Sequence, residues 1–138
     1  MPIMLECHRG IGPDVDGLAL VADDDFSARY DLDRKAGVFS RPAHKLCGQN
    51  YANKVLVLNT AKGGVASAWM LHEMKASGIV PAAFLFNRVN PILAQGAALA
   101  ELPMVDRFAQ DITKIVRTGD HVRVMPSLGR VIITNRDV

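Results

Sequence analysis

Residues 59–69 read NTAKGGVASAW, and they place a lysine and two glycines where an apolar run gives way to a helical pattern. The free backbone N–H groups of a helix N-terminus attract carboxylates and phosphates, and glycine lets the main chain approach such a ligand closely. Lys62 adds a positive charge beside Gly63 and Gly64. The segment predicts a cradle for a carboxylate-bearing substrate. A tight turn that needs glycine only for its geometry would look the same.

The order of these residues disfavours a nucleotide as the ligand. A Walker loop ends in Gly-Lys-Ser/Thr, whereas Lys62 precedes both glycines here. The segment also lacks the GxGxxG fingerprint of dinucleotide-binding folds. A small carboxylate is therefore the expected ligand.

Two further segments carry side chains that could reach a substrate. His44 lies in the loop before the apolar run and could act as an acid or base near neutral pH, or it could simply order its loop by hydrogen bonds. Arg29, Tyr30 and Asp31 offer charges and a phenol within one short segment, which would suit a substrate with a carboxylate and a basic group. Unrelated surface residues would give the same pattern.

Other polar or aromatic residues carry weaker signals. The acidic run Asp23–Asp25 would need all three carboxylates to converge on a cation, but successive residues of an extended strand point to opposite faces. A solvated acidic turn is therefore expected. Trp69 is expected to pack in the core, with covering of the pocket or of a subunit face as the alternative.

Composition limits the class of protein. The chain has 138 residues, 49% of them hydrophobic and 22% charged, which is typical of one compact α/β domain, here residues 1–138. The net charge of +2, spread along the chain, argues against nucleic-acid binding. No stretch resembles a signal peptide or reaches the roughly 18–20 apolar residues of a membrane span, so a cytoplasmic location is expected.

The two cysteines exclude some metal sites. Cys7 and Cys47 lie forty residues apart with no CxxC or Cys/His cluster around them. A structural zinc site or a typical four-cysteine iron–sulfur cluster needs four ligands, so no metal is expected on this chain. Buried free thiols in a reducing compartment are the expected state.

Hydrophobic patterning predicts the elements that must position these residues. Strands are expected at 18–22, 38–39, 54–58 and 82–86, and residues 40–53 are expected to form a loop. Helices are expected at 66–77, ended by Gly78, and at 91–100, started by the Asn90-Pro91 pair. In the last third, 103–106 predicts a short strand, 112–116 a strand or helical turn, and 119–124 with 127–135 a hairpin. The result is a βαβα core flanked by β-rich segments.

Taken in order, these segments resemble the small, swivel-domain subunit of the aconitase X family. The resemblance extends from about Gly12 to Ile133. It is carried by VDGLALV (15–21), by Ser27, Asp33 and Gly37 at the family's spacing, and by HKLCG (44–48), KVLVL (54–58), KGG (62–64), LHEMKASGIVPAAFLF (71–86), ILAQGAALAELPMVD (92–106) and TGDHVRV (118–124).

The resemblance implies an α/β fold, a swivelling β/β/α domain like the mobile domain of aconitase. Known members, such as cis-3-hydroxy-L-proline dehydratase and phosphomevalonate dehydratase, are hydro-lyases that act on small hydroxylated carboxylates. In the family this domain works with a large subunit, separate or fused, that carries the iron–sulfur cluster. The resemblance therefore implies a heteromer in which the partner carries the cofactor and this chain binds none itself. Together with the small net charge and the lack of a long apolar stretch, it leaves no nucleic-acid or membrane partner expected.

The chain departs from the family at the substrate loop. The family's loop resembles Arg-Gly-Ser, followed after two residues by Gly-Ser, whereas Lys62, Gly63 and Gly64 occupy the first three places here. Gly64 thus stands where the family has the serine that acts on a substrate proton, and Ser67 could replace it only if the backbone presents it. The family's Phe-Trp-Gly-Gly segment is likewise replaced, by residues 28–31.

The leading hypothesis is a two-chain dehydratase in which this chain is the small subunit. Its catalytic candidates are Ser67 and His44, and its substrate-binding candidates are Arg29, Tyr30, Lys62, Gly63, Gly64, Val65 and Ala66. One alternative is a non-catalytic or regulatory subunit that binds carboxylate or phosphate and has lost the usual serine. Another is a purely structural partner subunit.

Overall fold

The computed structural model describes residues 2–135, so residues 1 and 136–138 of the expected domain lie outside the described part. The strands are β1 (Ile3–Glu6), β2 (Val15–Val21), β3 (Leu32–Asp33), β4 (Val38–Phe39), β5 (Val55–Ala61), β6 (Ala83–Val89), β7 (Met104–Val105), β8 (His121–Met125) and β9 (Arg130–Asn135). The helices are α1 (Val65–Ser77), α2 (Pro91–Leu99) and α3 (Ile112–Ile115), with a 3₁₀ turn at Pro126–Leu128.

Seven of the strands within residues 2–135 form one mixed sheet in the order β1-β9-β8-β2-β5-β6-β7. Strands β2, β5, β6 and β7 run parallel, whereas β1, β9 and β8 are antiparallel to their neighbours. Strands β3 and β4 pair separately. Because β5 and β6 are parallel neighbours, their carboxyl ends meet at one sheet edge, where the loops to α1 and α2 begin.

The central strands are buried on both faces, which explains their continuous apolar sequence. Leu56 and Phe84 belong to the core that packs under Leu71 of α1 and Leu93 of α2. The next residues along the strands, such as Val57, belong to a second core on the opposite face, with α3 and the β8–β9 hairpin. The two helices approach each other at Gly96, where a Cβ would come 2.6 Å from the Cβ of Ala68.

The α/β class predicted from the sequence is confirmed, as are both long helices, the β8–β9 hairpin and the strands of the central sheet. Residues 112–116 take the helical alternative, with Asp111 as the N-cap. Strand β1 was not predicted, because it lies at the sheet edge with mostly exposed side chains and shows no apolar alternation.

Three expectations about individual side chains are wrong. Trp69 is 65% exposed rather than buried, because the buried stripe of α1 is formed by Ser67, Leu71 and Met74. Cys47 is exposed and Cys7 only half-buried, although both are free thiols.

No helix within residues 2–135 is long and apolar enough to cross a bilayer.

Candidate functional site

The Lys62–Gly64 turn joins the end of β5 to the start of α1, and its first glycine is required by geometry. Gly63 has a φ of +130°, and a Cβ at this position would collide with the side chain of Ser67. Its carbonyl accepts a hydrogen bond from Nδ2 of Asn90 at 3.0 Å. Asn90 is also the N-cap of α2, so this side chain ties the turn to the second helix.

Gly64 is the N-cap of α1 and is not constrained in the same way. Its φ of −120° is open to any residue, and a Cβ built there meets nothing within 4 Å. The first helical hydrogen bond runs from the N–H of Ala68 to the carbonyl of Gly64, at 3.1 Å. The N–H groups of residues 65–67 precede it and have no intrahelical acceptor. The turn thus leaves a helix N-terminus open to an anion, with no side chain capping it.

A cavity of about 480 Å³ lies over this helix N-terminus. All seven residues predicted to bind substrate line it, as does the predicted catalytic residue Ser67. The structure therefore brings together segments 29–30 and 62–67, which the sequence linked only by the family resemblance. Ser27 also lines the cavity and was missed as a site residue; no sequence signal beyond the resemblance distinguishes it.

Ser67 presents a hydroxyl to this cavity. Its side chain is only 3% exposed, yet within residues 2–135 the hydroxyl has no hydrogen-bond partner. A buried hydroxyl without a protein partner is free to bond a ligand. Ser67 thus offers a hydroxyl to the cavity, whereas Gly64, at the position of the family's serine, offers none.

Lys62 is held at the cavity by an acidic residue that sequence reasoning did not find. Its Nζ lies 3.1 Å from Oδ2 of Asp25, whose Oδ1 accepts a hydrogen bond from Nδ2 of Asn59 at 3.3 Å. Nδ2 of Asn87 donates to Oδ1 of Asn59 at 3.0 Å and to Oδ1 of Asp111 at 2.8 Å. A chain of polar side chains therefore runs along the sheet edge to Lys62.

The solvated acidic turn expected at Asp23–Asp25 is correct only for Asp23, which is exposed. Asp24 is half-buried and accepts a hydrogen bond from the N–H of Lys45 at 3.0 Å. Asp25 is half-buried and pairs with Lys62. The three carboxylates have separate partners, and the one from Asp25 orients Lys62.

Arg29 and Tyr30 are presented to the cavity by a turn that Asp31 closes. The Asp31 carboxylate accepts hydrogen bonds from the N–H of Ser27 at 2.8 Å and from Nε of Arg41 at 2.6 Å. Asp31 is itself 3% exposed and lies outside the cavity lining, so its role is to fold the turn. The Arg29 guanidinium lies over the Tyr30 ring, 5.3 Å from its centroid.

His44 lies outside the lining of the cavity. It is 3% exposed, its Nδ1 accepts the N–H of Leu46 at 3.0 Å, and its Nε2 lies 2.8 Å from the backbone carbonyl of Asp25. Because Nδ1 is an acceptor, Nε2 carries the proton and donates it to that carbonyl. Both ring nitrogens are therefore engaged, and this geometry favours a role in positioning the backbone of Asp25. The catalytic role predicted for His44 from the sequence stays a prediction.

The residues present do not fit an iron–sulfur cluster. Within residues 2–135 there is no group of three or more His, Cys, Asp or Glu side chains that could hold a metal ion. The two cysteines, Cys7 and Cys47, are both free thiols in separate parts of the fold. What the described residues offer instead is a cavity lined by cationic side chains and a hydroxyl group.

Known proteins resemble this chain in both sequence and fold. The chain is 31% identical to the phosphomevalonate dehydratase small subunit of Methanococcoides burtonii, over 97% of this chain and 98% of that protein. It is also 31% identical to the small subunit of the same name from Methanothrix thermoacetophila, over 96% and 95%. The crystal structure of Thermococcus kodakaraensis aconitase X, in its holo-form, superposes with a TM-score of 0.89 at 26% identity, over 96% of this chain and 99% of that chain.

The sequence also matches a family model directly. The model describes the aconitase X swivel domain, and it matches residues 4–133. These matches confirm the swivel-domain fold expected from the resemblance. The chain belongs to the aconitase X swivel domain family.

Proposed function

We propose that this chain is the small subunit of a two-chain hydro-lyase that removes water from a small hydroxylated carboxylate. The observation that carries the proposal is the single cavity in which a helix N-terminus, Lys62 and an unpartnered Ser67 hydroxyl converge. Its relatives' names, phosphomevalonate dehydratase small subunit, support dehydration as the reaction class. The cytoplasmic location expected from the sequence is part of the same proposal.

The substrate carboxylate would lie at the N-terminus of α1. There the N–H groups of residues 65–67 offer donors, and the helix dipole adds a partial positive charge. Lys62 supplies a full charge, oriented by Asp25. Arg29, an exposed residue of the cavity lining, supplies a second cation. Together these groups bind and orient an anion without a metal ligand from this chain.

The Ser67 hydroxyl would hold or transfer the substrate proton. It lies in the first turn of α1, so a carboxylate bound at the helix N-terminus would be next to its Oγ atom. The Lys62 ammonium at the same cavity favours negative charge on that oxygen. Gly64, at the family's serine position, has no side chain that could do this work.

A large subunit would complete the site and carry the iron–sulfur cluster. An apolar groove between α1 and α2 supports such a partner. Its exposed apolar residues are Val65, Trp69, Ile92 and Leu99, at 65%, 65%, 47% and 73% exposure. Exposed apolar surface of this kind is typical of interaction sites. Val65 lines both the groove and the substrate cavity, so a subunit docked on the groove would also cover the cavity.

The proposal is tested by assembling the chain with its large subunit and measuring dehydration of small hydroxy-carboxylates. Lys62→Ala should raise KM about tenfold or more, because a charge-assisted contact to the substrate is lost. Lys35→Ala, at an exposed lysine outside the cavity lining, is the matched control and should leave KM unchanged. The proposal fails if the chains do not associate, or if the complex dehydrates no such substrate.

A second candidate is a non-catalytic subunit that binds a carboxylate or phosphate. Gly64 favours it, since the family's serine is missing while the anion-binding backbone is retained. Carboxylates would then raise the melting temperature of the assembled complex without any turnover. If Lys62→Ala changes neither ligand binding nor activity, the chain serves only as a structural partner.

A further inference from the structure

Two asparagine side chains on neighbouring strands connect helix α3 to the cavity. Asn59 of β5 and Asn87 of β6 lie at the same level of the sheet, since the residues on either side of them are register partners. Nδ2 of Asn87 donates to Oδ1 of Asn59 at 3.0 Å and to Oδ1 of Asp111 at 2.8 Å. Nδ2 of Asn59 donates in turn to Oδ1 of Asp25 at 3.3 Å. These side chains lie outside the cavity lining, and they reach it where Oδ2 of Asp25 meets Nζ of Lys62.

The direction of these hydrogen bonds is set at the α3 end. The backbone N–H of Ile112 can only donate, and it lies 2.9 Å from Oδ1 of Asn87. An ionised carboxylate can only accept, and hydrogen bonds from the Thr113 hydroxyl and from Asn87 hold the pKa of the Asp111 carboxyl below its usual value. Asn87 must therefore turn its carbonyl oxygen to Ile112 and its NH₂ group to Asp111 and Asn59.

This orientation fixes Asn59 and Asp25 as well. The Oδ1 atom of Asn59 accepts from Asn87, so its NH₂ group faces Asp25, which must accept with Oδ1. The main chain of Asp25 is held separately, because Nε2 of His44 donates to its carbonyl at 2.8 Å. With the backbone and one carboxylate oxygen fixed, the other oxygen, Oδ2, is directed at the ammonium group of Lys62. A backbone donor on α3 thus determines which atom of Asp25 receives the lysine.

We propose that Asn59 and Asn87 are positioning residues for Lys62, acting through Asp25. They keep the hydrogen bonds running in one direction, from the N-terminus of α3 to the carboxylate beside the cavity. An amide suits this role, because it carries a donor and an acceptor at fixed places and no charge. Both asparagines are half-buried, where hydrogen bonds are stronger than in water. The inference rests on the proposed function, in which Lys62 binds the substrate carboxylate.

The fixed direction gives one substitution opposite effects in two backgrounds. In the unmodified chain, Asn59→Asp removes the donor and sets a second carboxylate against Oδ1 of Asp25. In the Asp25→Asn variant, the amide at this position meets the NH₂ group of Asn59 with its own NH₂ group whenever its oxygen faces Lys62. Adding Asn59→Asp there supplies an acceptor for that NH₂ group and leaves the amide oxygen for Lys62.

The first test measures melting temperatures of the full chain. Asn59→Asp should lower the melting temperature of the unmodified chain by about 5 °C, because a hydrogen bond is lost and two like charges meet. In the Asp25→Asn background the same substitution should leave the melting temperature unchanged or raise it. Gln49→Glu, at an exposed amide in the loop before β5, is the control and should act equally in both backgrounds. An equal decrease by Asn59→Asp in both backgrounds would overturn the inference.

The second test follows KM in the assembled two-chain complex. Asn59→Asp alone should raise KM for the hydroxy-carboxylate about tenfold and leave kcat unchanged, because the Ser67 hydroxyl is untouched. Combined with Asp25→Asn, it should bring KM below the value for Asp25→Asn alone. An effect of the added negative charge alone would raise KM in both backgrounds. That result, or melting temperatures that change without this KM pattern, would overturn the inference and leave the proposed function intact.

A complex that dehydrates nothing would instead overturn the proposed function. Acetate titration of the full chain, followed by ¹⁵N NMR at the backbone amides of residues 65–67, then decides the inference. The dissociation constant of acetate should rise with Asn59→Asp alone and fall when Asn59→Asp is added to Asp25→Asn. Equal acetate affinities in all of these chains, or no acetate binding in any of them, would overturn the positioning role.

Discussion

The Nζ atom of Lys62 lies 3.1 Å from Oδ2 of Asp25, and this ion pair fixes where the ammonium group of Lys62 is held. The backbone of Asp25 is held in turn by His44, whose Nε2 donates to the Asp25 carbonyl at 2.8 Å. The side chains of Lys62 and Asp25 are 65% and 35% exposed, so the pair adds little to stability. Its contribution is the orientation of an ammonium group at the edge of the cavity.

Replacing Asp25 by Asn should therefore impair binding more than folding. With the charge removed, Lys62 samples more rotamers, and we expect KM of the assembled complex to rise about two- to fivefold, in line with a partly exposed ion pair. The value of kcat and the free energy of unfolding should change little. Asp25→Glu, which keeps the charge, should restore most of the affinity. An unchanged or lower KM for Asp25→Asn would mean that the carboxylate competes with the substrate for Lys62 instead of orienting it.

The two glycines of the turn should respond oppositely to the same substitution. Gly63→Ser should destabilise the chain by about 2 kcal/mol or more. Serine would have to adopt the positive φ of this position, and its Cβ would collide with the side chain of Ser67. Gly64→Ser should be neutral or stabilising by a few tenths of a kcal/mol, since serine is the better helix N-cap and a Cβ there has open space. Urea denaturation followed by circular dichroism measures both, and a loss of stability in Gly64→Ser would contradict the N-cap assignment.

The turn could be predicted from the sequence because its signals are local. The apolar run of β5, the Lys-Gly-Gly order and Gly78 beyond α1 lie within one continuous segment. Asp25, Asn59 and Asn87 could not be predicted, since their convergence depends on the register of parallel strands.

Burial of single side chains was harder to predict than the elements themselves. Trp69 is large and apolar, so its type favours the core, but its place on α1 lies outside the stripe that faces the sheet. His44 could act as a base by type, and only its contacts with Leu46 and Asp25 show that both ring nitrogens are engaged.

Ser67→Ala should lower kcat of the assembled complex about 100-fold or more, the usual contribution of a positioned proton-transfer group, with little change in KM. Ser40→Ala, at an exposed serine, is the control. Adding Gly64→Ser to Ser67→Ala places a hydroxyl at the family's serine position and should recover part of the lost rate. Full activity in Ser67→Ala would exclude this hydroxyl from proton transfer.

The two thiols should react at very different rates. Burial, and secondarily the negative charge of Asp106, raise the pKa of Cys7 to about 11. At pH 8 only about one Cys7 thiol in a thousand is then ionised, and the thiolate is the reactive form. A thiol reagent should label the exposed Cys47 rapidly and Cys7 slowly, with the slow rate rising tenfold per pH unit. Cys47→Ser should abolish the fast phase; a fast phase that persists in this variant would contradict the assignment.

Trp69→Glu should weaken association with the proposed large subunit while leaving the chain folded. The side chain is 65% exposed in the apolar groove, and its ring forms a T-shaped pair with the His72 ring at a centroid distance of 6.0 Å, so a charge there costs the isolated chain little. In a docked interface the same charge would be buried without a partner, and we expect the dissociation constant to rise at least about tenfold. Leu128→Glu, at a 57% exposed leucine outside the groove, is the matched control for a new surface charge. Calorimetric titration of the large subunit with each variant measures the affinity. If Leu128→Glu weakens binding as much as Trp69→Glu does, or if neither does, the α1–α2 groove is not where the large subunit docks.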